Sequence, residues 1–212
     1  MLGLAFVIVF LGYLLISLWV VTFAAKKARA KGIAGWKWGL PAALIMYLIV
    51  FWDHIPTLVA HKYYCEKEAG FFVYKTLEQW KIENPGVAEK LTAYGIDIND
   101  LPIETIDAGT RNAKNVRRIN DRFIKSSEDQ RISKLLPITR WTYYVADTLT
   151  NTRIAENINF QRGYENPMTI GGKGSWKIWV RSNSCGKEFF KDTNKQFYSF
   201  INSIIEMTGE KR

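Results

Sequence analysis

Side chains that could do chemistry are sparse in this chain, and their spacing limits what they can support. The only two histidines, His54 and His61, lie seven residues apart, and Asp53 stands beside His54 in an otherwise apolar stretch. Seven residues is two helical turns, so on one helix both imidazoles point the same way. Ionisable groups inside a membrane span are costly and often functional. Asp53 and His54 can pair with each other, relay a proton or meet a partner helix. The plainer alternative puts Asp53 at the headgroup level, where water reaches it. A metal or haem centre would need further ligands from elsewhere, so no metal and no cofactor is expected.

Cys65 and Cys185 are the only cysteines. An oxidising compartment permits a bridge between them. The alternative is two buried free thiols, and the bridge is the expectation. Closing so long a loop contributes roughly 4–5 kcal/mol in the chain-entropy model. No Cys-x-x-Cys is present, which argues against thioredoxin-like redox work. A free Cys185 near the start of the last helix would have a lowered pKa, but the bridge removes that option.

Catalytic constellations are missing. No histidine falls in residues 62–212, so no Ser–His or Cys–His pair can form there. Neither His-Glu-x-x-His nor Gly-x-Ser-x-Gly occurs. Gly171–Ser175 is glycine-rich around Lys173, but Pro167 and Gly174 stand where a phosphate loop needs glycine and Ser/Thr. It reads as a hairpin loop. A carboxylate pair is not singled out by any spacing, so the protein is expected not to be an enzyme.

Two groups of residues suit recognition. Basic side chains concentrate between Arg111 and Lys134, including Arg117, Arg118 and Arg122. Aromatics gather at Trp141, Tyr143, Trp176 and Trp179. Together these are the candidate partner surface, since Trp, Tyr and Arg dominate interface hot spots. The blander readings are a solvated basic face and an ordinary aromatic core.

The elements that must position these residues begin with two apolar runs. Leu2–Ala25 carries no charge, and Pro41–Ala60 carries only Asp53 and His54. Between them Lys26, Lys27, Arg29, Lys31 and Lys37 occur with no acid. This predicts a transmembrane hairpin over 1–60, with helices at about 2–25 and 39–60 and a cytoplasmic loop at 26–38. The first run lacks the basic start and short core of a cleaved signal, so a retained helix is expected. Positive residues stay inside, so the N-terminus and residues 61–212 are expected outside the cytoplasm. Trp36 and Trp38, then Trp52, Tyr63 and Tyr64, suit the two interfaces, and Pro41 suits the first turn of the second helix.

Residues 61–212 have the length and composition of one domain. The net charge of +9 leaves a mild basic excess there, which suits anionic headgroups and does not demand nucleic acid. A helix over 61–84 is one reading, with a strand from Phe71 to Tyr74 as the other. Val87–Ala93 reads as a short helix. Ile103–Ile106 reads as a strand. Arg117–Ser126 fits either a helix through Val116, Ile119 and Phe123 or a strand, and a polar turn at 127–130 favours the strand. Ile138–Ala146 and Arg153–Phe160 read as a hairpin, and Ser175–Arg181 as a further strand. Lys187–Met207 is amphipathic, with Phe190, Phe197, Phe200, Ile201 and Ile204 in its apolar stripe. The fold class expected is α+β: an antiparallel sheet of about four strands with helices on one face.

The functional expectation is a non-enzymatic recognition or accessory protein in the cytoplasmic (inner) membrane. It would present its outer domain to a partner protein or envelope assembly, with no nucleic acid involved. The hairpin sits in the lipid bilayer and can form a homo-oligomer. The alternative is a small transport or channel subunit using Asp53 and His54. An outer-leaflet enzyme using carboxylates is a third reading.

Overall fold

The computed structural model describes residues 2–95, 100–106, 114–163, 180, 182–208 and 210–211. It has two compact units, Met1–Pro56 and Thr57–Arg212.

In the first unit, α1 (Leu2–Ala30) and α2 (Trp36–Phe51) run antiparallel. Phe10 meets Phe51 edge-on, and Tyr13 Oη donates to the Met46 carbonyl. Gly39 faces Ala25 across the pair, where an added Cβ would make ordinary van der Waals contact at 3.5 Å. Among the described residues, Val7–Ala30 is the one helix that by itself is long and apolar enough to cross a bilayer. The expected second helix at 39–60 is not continuous. It starts three residues earlier, takes Pro41 into its interior and stops at Phe51; α3 (His54–Lys67) follows the break. Pro56 explains the interruption: it has no N–H for the Trp52 carbonyl, and its ring would crowd that group. The apolar stretch reaches a second spanning length only when α2 and α3 count as one broken span.

The second unit is α+β. Among the described residues its main sheet has six strands in the order β1-β7-β6-β5-β4-β3, all antiparallel: β1 (Gly70–Val73), β3 (Ile103–Ile106), β4 (Lys114–Arg118), β5 (Phe123–Arg131), β6 (Ile138–Asp147) and β7 (Thr152–Arg162). The short β2 (Thr92–Ala93) and β8 (Glu210–Lys211) pair in parallel beside it. Two further helices, α4 (Leu77–Glu83) and α5 (Lys187–Glu206), complete five among the described residues.

Local chemistry accounts for the differences from the sequence reading. The helix over 61–84 stops at Lys67, and β1 takes Gly70–Val73. Then Thr76 and Gln79 form a reciprocal capping box that starts α4. Val87–Ala93 is not a helix; it shortens to a 3-10 turn at Ala88–Lys90 before β2. The single strand expected at Arg117–Ser126 is two strands. Asn120 Oδ1 accepts from the N–H groups of Arg122 (2.9 Å) and Phe123 (2.8 Å), folding the chain back at this point. The polar run at 127–130, expected to turn, lies inside β5. The hairpin of β6 and β7 is present, with Asn151 in the left-handed conformation at φ 52°. Ser175–Arg181 lies outside the described residues except for Val180, which is buried.

Cross-strand partners share a face, as do alternate residues on one strand. Tyr143, Val145, Ala155, Asn157 and Phe71 therefore share one face. That face meets α5: Phe71 packs on Phe197, and Asn157 Nδ2 donates to Asn194 Oδ1 at 2.8 Å. The main core lies here, with Trp80, Phe123, Ile154, Phe197, Ile201 and Ile204 all buried. Ile138, Ile158 and Phe160 belong to the opposite face and pack against Ala60, Tyr64 and Cys65 of α3. Helices thus cover both faces of the sheet, where one was expected. The reason is that β7 turns Ile158 and Phe160 to the side away from α5, beside Ile138 of β6, and the chain entering from α3 supplies their cover.

Candidate partner-binding surface

Cys65 and Cys185 are joined by a disulfide across 120 residues, and no described cysteine is free. The bridge ties α3 to the segment just before α5. Tyr64 stacks on Phe160 at 5.1 Å beside it. His61 is buried, and its Nε2 lies 3.1 Å from the Phe160 carbonyl. Burial holds the imidazole below its ordinary pKa; the bond to Phe160 works against this, and the Arg162 charge adds to it.

Beyond the part covered by α3, the same sheet face turns polar. Arg140 and Thr142 on β6 share it with Tyr144, and Glu156 on β7 lies opposite Tyr144. Ser126 and Glu128 continue it on β5, opposite Tyr144 and Thr142. Glu156 is the hub. Arg153 Nη1 lies 3.2 Å from Glu156 Oε2, and Tyr74 Oη donates to Oε1. Arg140 Nη2 stands farther off, 3.9 Å from the same oxygen. Arg153 also reaches Glu128 at 2.7 Å and lies over the Tyr144 ring at 4.3 Å. The Tyr74 hydroxyl is raised above its ordinary pKa by burial and by the Glu156 carboxylate beside it. Arg153 is held above its ordinary value because its two carboxylate partners outweigh burial. Arg140 Nε and Ser126 Oγ are buried without hydrogen-bond partners among the described residues.

This cluster holds two arginines, two tyrosines and two carboxylates on a rigid sheet. Arg153 is committed to two carboxylates, whereas Arg140 has donors to spare. Phe72, opposite Glu156, adds a partly exposed ring at the same margin. Such a surface can offer a forked guanidinium to a carboxylate and an aromatic plane to an apolar group.

The residues singled out from sequence are dispersed. Tyr143 faces α5 rather than solvent, and burial raises its hydroxyl pKa, with Tyr198 adding to it. Trp141 lies on that same face, and its buried indole N–H has no hydrogen-bond partner among the described residues. Arg117 bonds the Leu101 carbonyl at 3.3 Å, on the face that carries Lys125. Lys125 is pushed down to about 8 by burial, with Arg117 contributing, and its ammonium sits 5.0 Å from the Tyr198 ring centre. Arg118 pairs with Glu104 at 2.8 Å, both well exposed. Arg122 is withdrawn into a buried pair with Asp147. Trp176, Trp179, Arg111 and Gly171–Ser175 lie outside the described residues. In the first unit, Asp53 is fully buried, and His54 Nδ1 lies 3.1 Å from Tyr47 Oη.

Tyr144 stands among the strand aromatics that the sequence offers as partner anchors, whereas Arg140, Arg153 and Glu156 were missed because single strand residues carry no motif. Their alternation in the β6 and β7 patterns, Arg-x-Thr-x-Tyr and Arg-x-x-Glu, is the one signal that could have drawn attention to that face. No family model matches the chain, and neither a curated protein nor a solved structure does.

Proposed function

We propose that this is a membrane-anchored recognition protein whose second unit is exported and captures a protein partner through the polar face around Arg140, Tyr144 and Glu156. The observation that carries the reading is the Cys65–Cys185 disulfide, since such bridges persist in oxidising compartments. The acid-free basic segment between α1 and α2 supports it, because basic residues in short loops stay cytoplasmic. In this reading α1 is one span and α2, up to the break before α3, is the other. The sheet face supplies the hot-spot residue types on a preformed scaffold, which lowers the ordering cost of binding. The partner patch it fits presents a carboxylate next to an apolar group.

Two measurements test this. A reporter fused after Arg212 is expected to be active only on the oxidising side; activity in the cytosol overturns the export. A photo-crosslinker replacing Tyr144 in native membranes is expected to trap one discrete protein, with the yield lost in Arg140→Ala. Equal yields from a crosslinker at the exposed Ile82 overturn the choice of surface.

A second reading is favoured by the break at Trp52–Asp53 within the apolar stretch. Irregular backbone at membrane depth is tolerated where it is buried in protein or lines a wet cavity. There Asp53 and His54 serve a transport subunit. Loss of ion or proton flux in Asp53→Ala, with the second unit still folded, supports transport; unchanged flux retires it.

A further inference from the structure

The junction between α3 and the sheet contains a group the recognition reading does not use. His61, Cys65 and Cys185 place one donor atom each within 4.8 Å of one another. We propose that, once the disulfide is reduced, these residues form a three-ligand site for a thiophilic divalent cation of the zinc type. The site and the bridge are then two mutually exclusive states of one cluster.

The imidazole is already arranged for coordination. A backbone carbonyl only accepts, so the 3.1 Å contact with Phe160 O requires the proton on Nε2. That leaves the lone pair on Nδ1. Metal-bound histidines commonly donate their other N–H to a carbonyl or carboxylate, which sets the tautomer and the ring orientation. Here the carbonyl sits in place before any cation arrives. Nδ1 lies 3.9 Å from Cys65 Sγ. A tetrahedral zinc centre, with Zn–S near 2.3 Å and Zn–N near 2.0–2.1 Å, separates sulfur and nitrogen by about 3.6 Å. Nδ1 and the Cys65 sulfur are therefore within a few tenths of an ångström of a working separation. Nε2 is nearer at 3.5 Å, so a slight turn of the ring presents Nδ1. The Cys185 sulfur moves away from Cys65 once the bond between them is cut.

Two thiolates and one imidazole are a soft donor set, suited to zinc and not to calcium or magnesium. Three protein ligands leave a fourth position for water or an outside group. The two cysteines are only half-buried, so a cation has a way in. The chemistry balances simply. A dithiol exchanges with the bridge, giving two cysteine thiols and its own disulfide. Zinc then displaces the two thiol protons.

The test uses the full chain in detergent. A phosphine reduces the bridge, consuming one water and leaving its oxide, without introducing competing thiols. Zinc is added against a chromogenic chelator, and cobalt serves as the spectroscopic probe. The reduced protein is expected to bind one zinc per chain and to show a thiolate-to-cobalt charge-transfer band; the oxidised protein is expected to bind none. His61→Ala is expected to bind more than about tenfold more weakly, since even outer-shell partners of zinc ligands are worth that much. Cys185→Ser is expected to lose the charge-transfer band of a two-thiolate centre. Circular dichroism accompanies each step. If reduction alone unfolds the second unit, zinc must restore its signal, because binding then drives folding. Three results overturn the proposal: no zinc on the reduced chain, equal affinity in His61→Ala, or failure of zinc to restore a fold lost on reduction. None depends on which side of the membrane the unit occupies, so the export reading can fail while this one stands.

Discussion

Two arginine–carboxylate sites lie close together on the sheet, Arg153 standing across from Ala146, the neighbour of Asp147, yet they use the same side chains to different ends. At one, Arg122 and Asp147 are withdrawn from water, with side-chain exposures of 13% and 2%. Arg122 offers Asp147 a fork, Nε at 3.0 Å and Nη2 at 2.7 Å. The Trp80 indole N–H donates to Asp147 at 2.8 Å, and the guanidinium lies over the Trp80 ring. This site docks α4 onto the β5–β6 end of the sheet. At the other, Arg153 is 39% exposed and divides itself between Glu128 and Glu156, with Arg140 held at a distance. The first site has every oxygen of Asp147 in use and no room for a guest. The second keeps charge and aromatic surface at the solvent boundary. What differs is burial: a desolvated pair must be fully bonded internally, while a half-solvated one can exchange water for a partner.

Substitutions can break this contrast. The largest effect is expected for Arg122→Met, which strands the buried Asp147 carboxylate; such losses run to about 3–5 kcal/mol. Chemical denaturation of the detergent-solubilised chain, followed by tryptophan fluorescence, measures it. The same pair has a pH signature. Burial pushes the Asp147 carboxyl up, but the bonds from Arg122, Trp80 and the Leu149 N–H outweigh it, so its folded pKa lies below the ordinary value. Its stabilisation is therefore full above the unfolded carboxylate pKa of about 3.9 and is lost as pH falls through the lower folded value. Arg122→Met is expected to flatten that acid limb.

Next in size is Arg153→Ala, expected to cost about 1–2 kcal/mol, because Glu156 keeps Tyr74 and the more distant Arg140. Its sharper consequence is expected in partner crosslinking at Tyr144, which should fall while the fold persists. An unchanged yield would show the open cluster to be as purely structural as the closed one.

Lys125 sharpens the contrast from the α5 side, as a half-buried cation with no carboxylate partner among the described residues. Its folded pKa of about 8 lies below the ordinary lysine value of 10.5. The unfolded chain thus binds more protons between those values, so this residue makes stability rise with pH across that window. Lys125→Met is expected to remove the slope and raise Tm by roughly 2 °C. The smallest effect is expected for Arg118→Ala, whose exposed pair with Glu104 is worth under ~1 kcal/mol. A loss beyond 2 kcal/mol there, a value about twice that range, would contradict the burial argument.

Legibility in the sequence followed the range of the interaction. The apolar run of α1, the β6–β7 hairpin and the stripe of α5 repeat at fixed short periods, and each appears close to where its period put it. The turn at Asn120 and the capping box at Thr76 are local too, but they rest on one or two polar side chains and were passed over. The basic run could not be sorted. Arg117, Arg118 and Arg122 look alike in sequence, yet one bonds a carbonyl, one an exposed glutamate and one a buried aspartate.

Composition and periodicity alone determined that one helix suits a bilayer, that strands and an amphipathic helix follow it, and that two cysteines could meet. Only the tertiary structure decided which arginine is buried, which sheet face stays polar and that His61 stands beside the bridge. The physical reason is distance along the chain. Helical and strand patterns are set by neighbours a few residues apart, whereas the Cys65–Cys185 junction brings together residues 120 positions apart. Its neighbours are chosen by packing on β7, a choice no local pattern records.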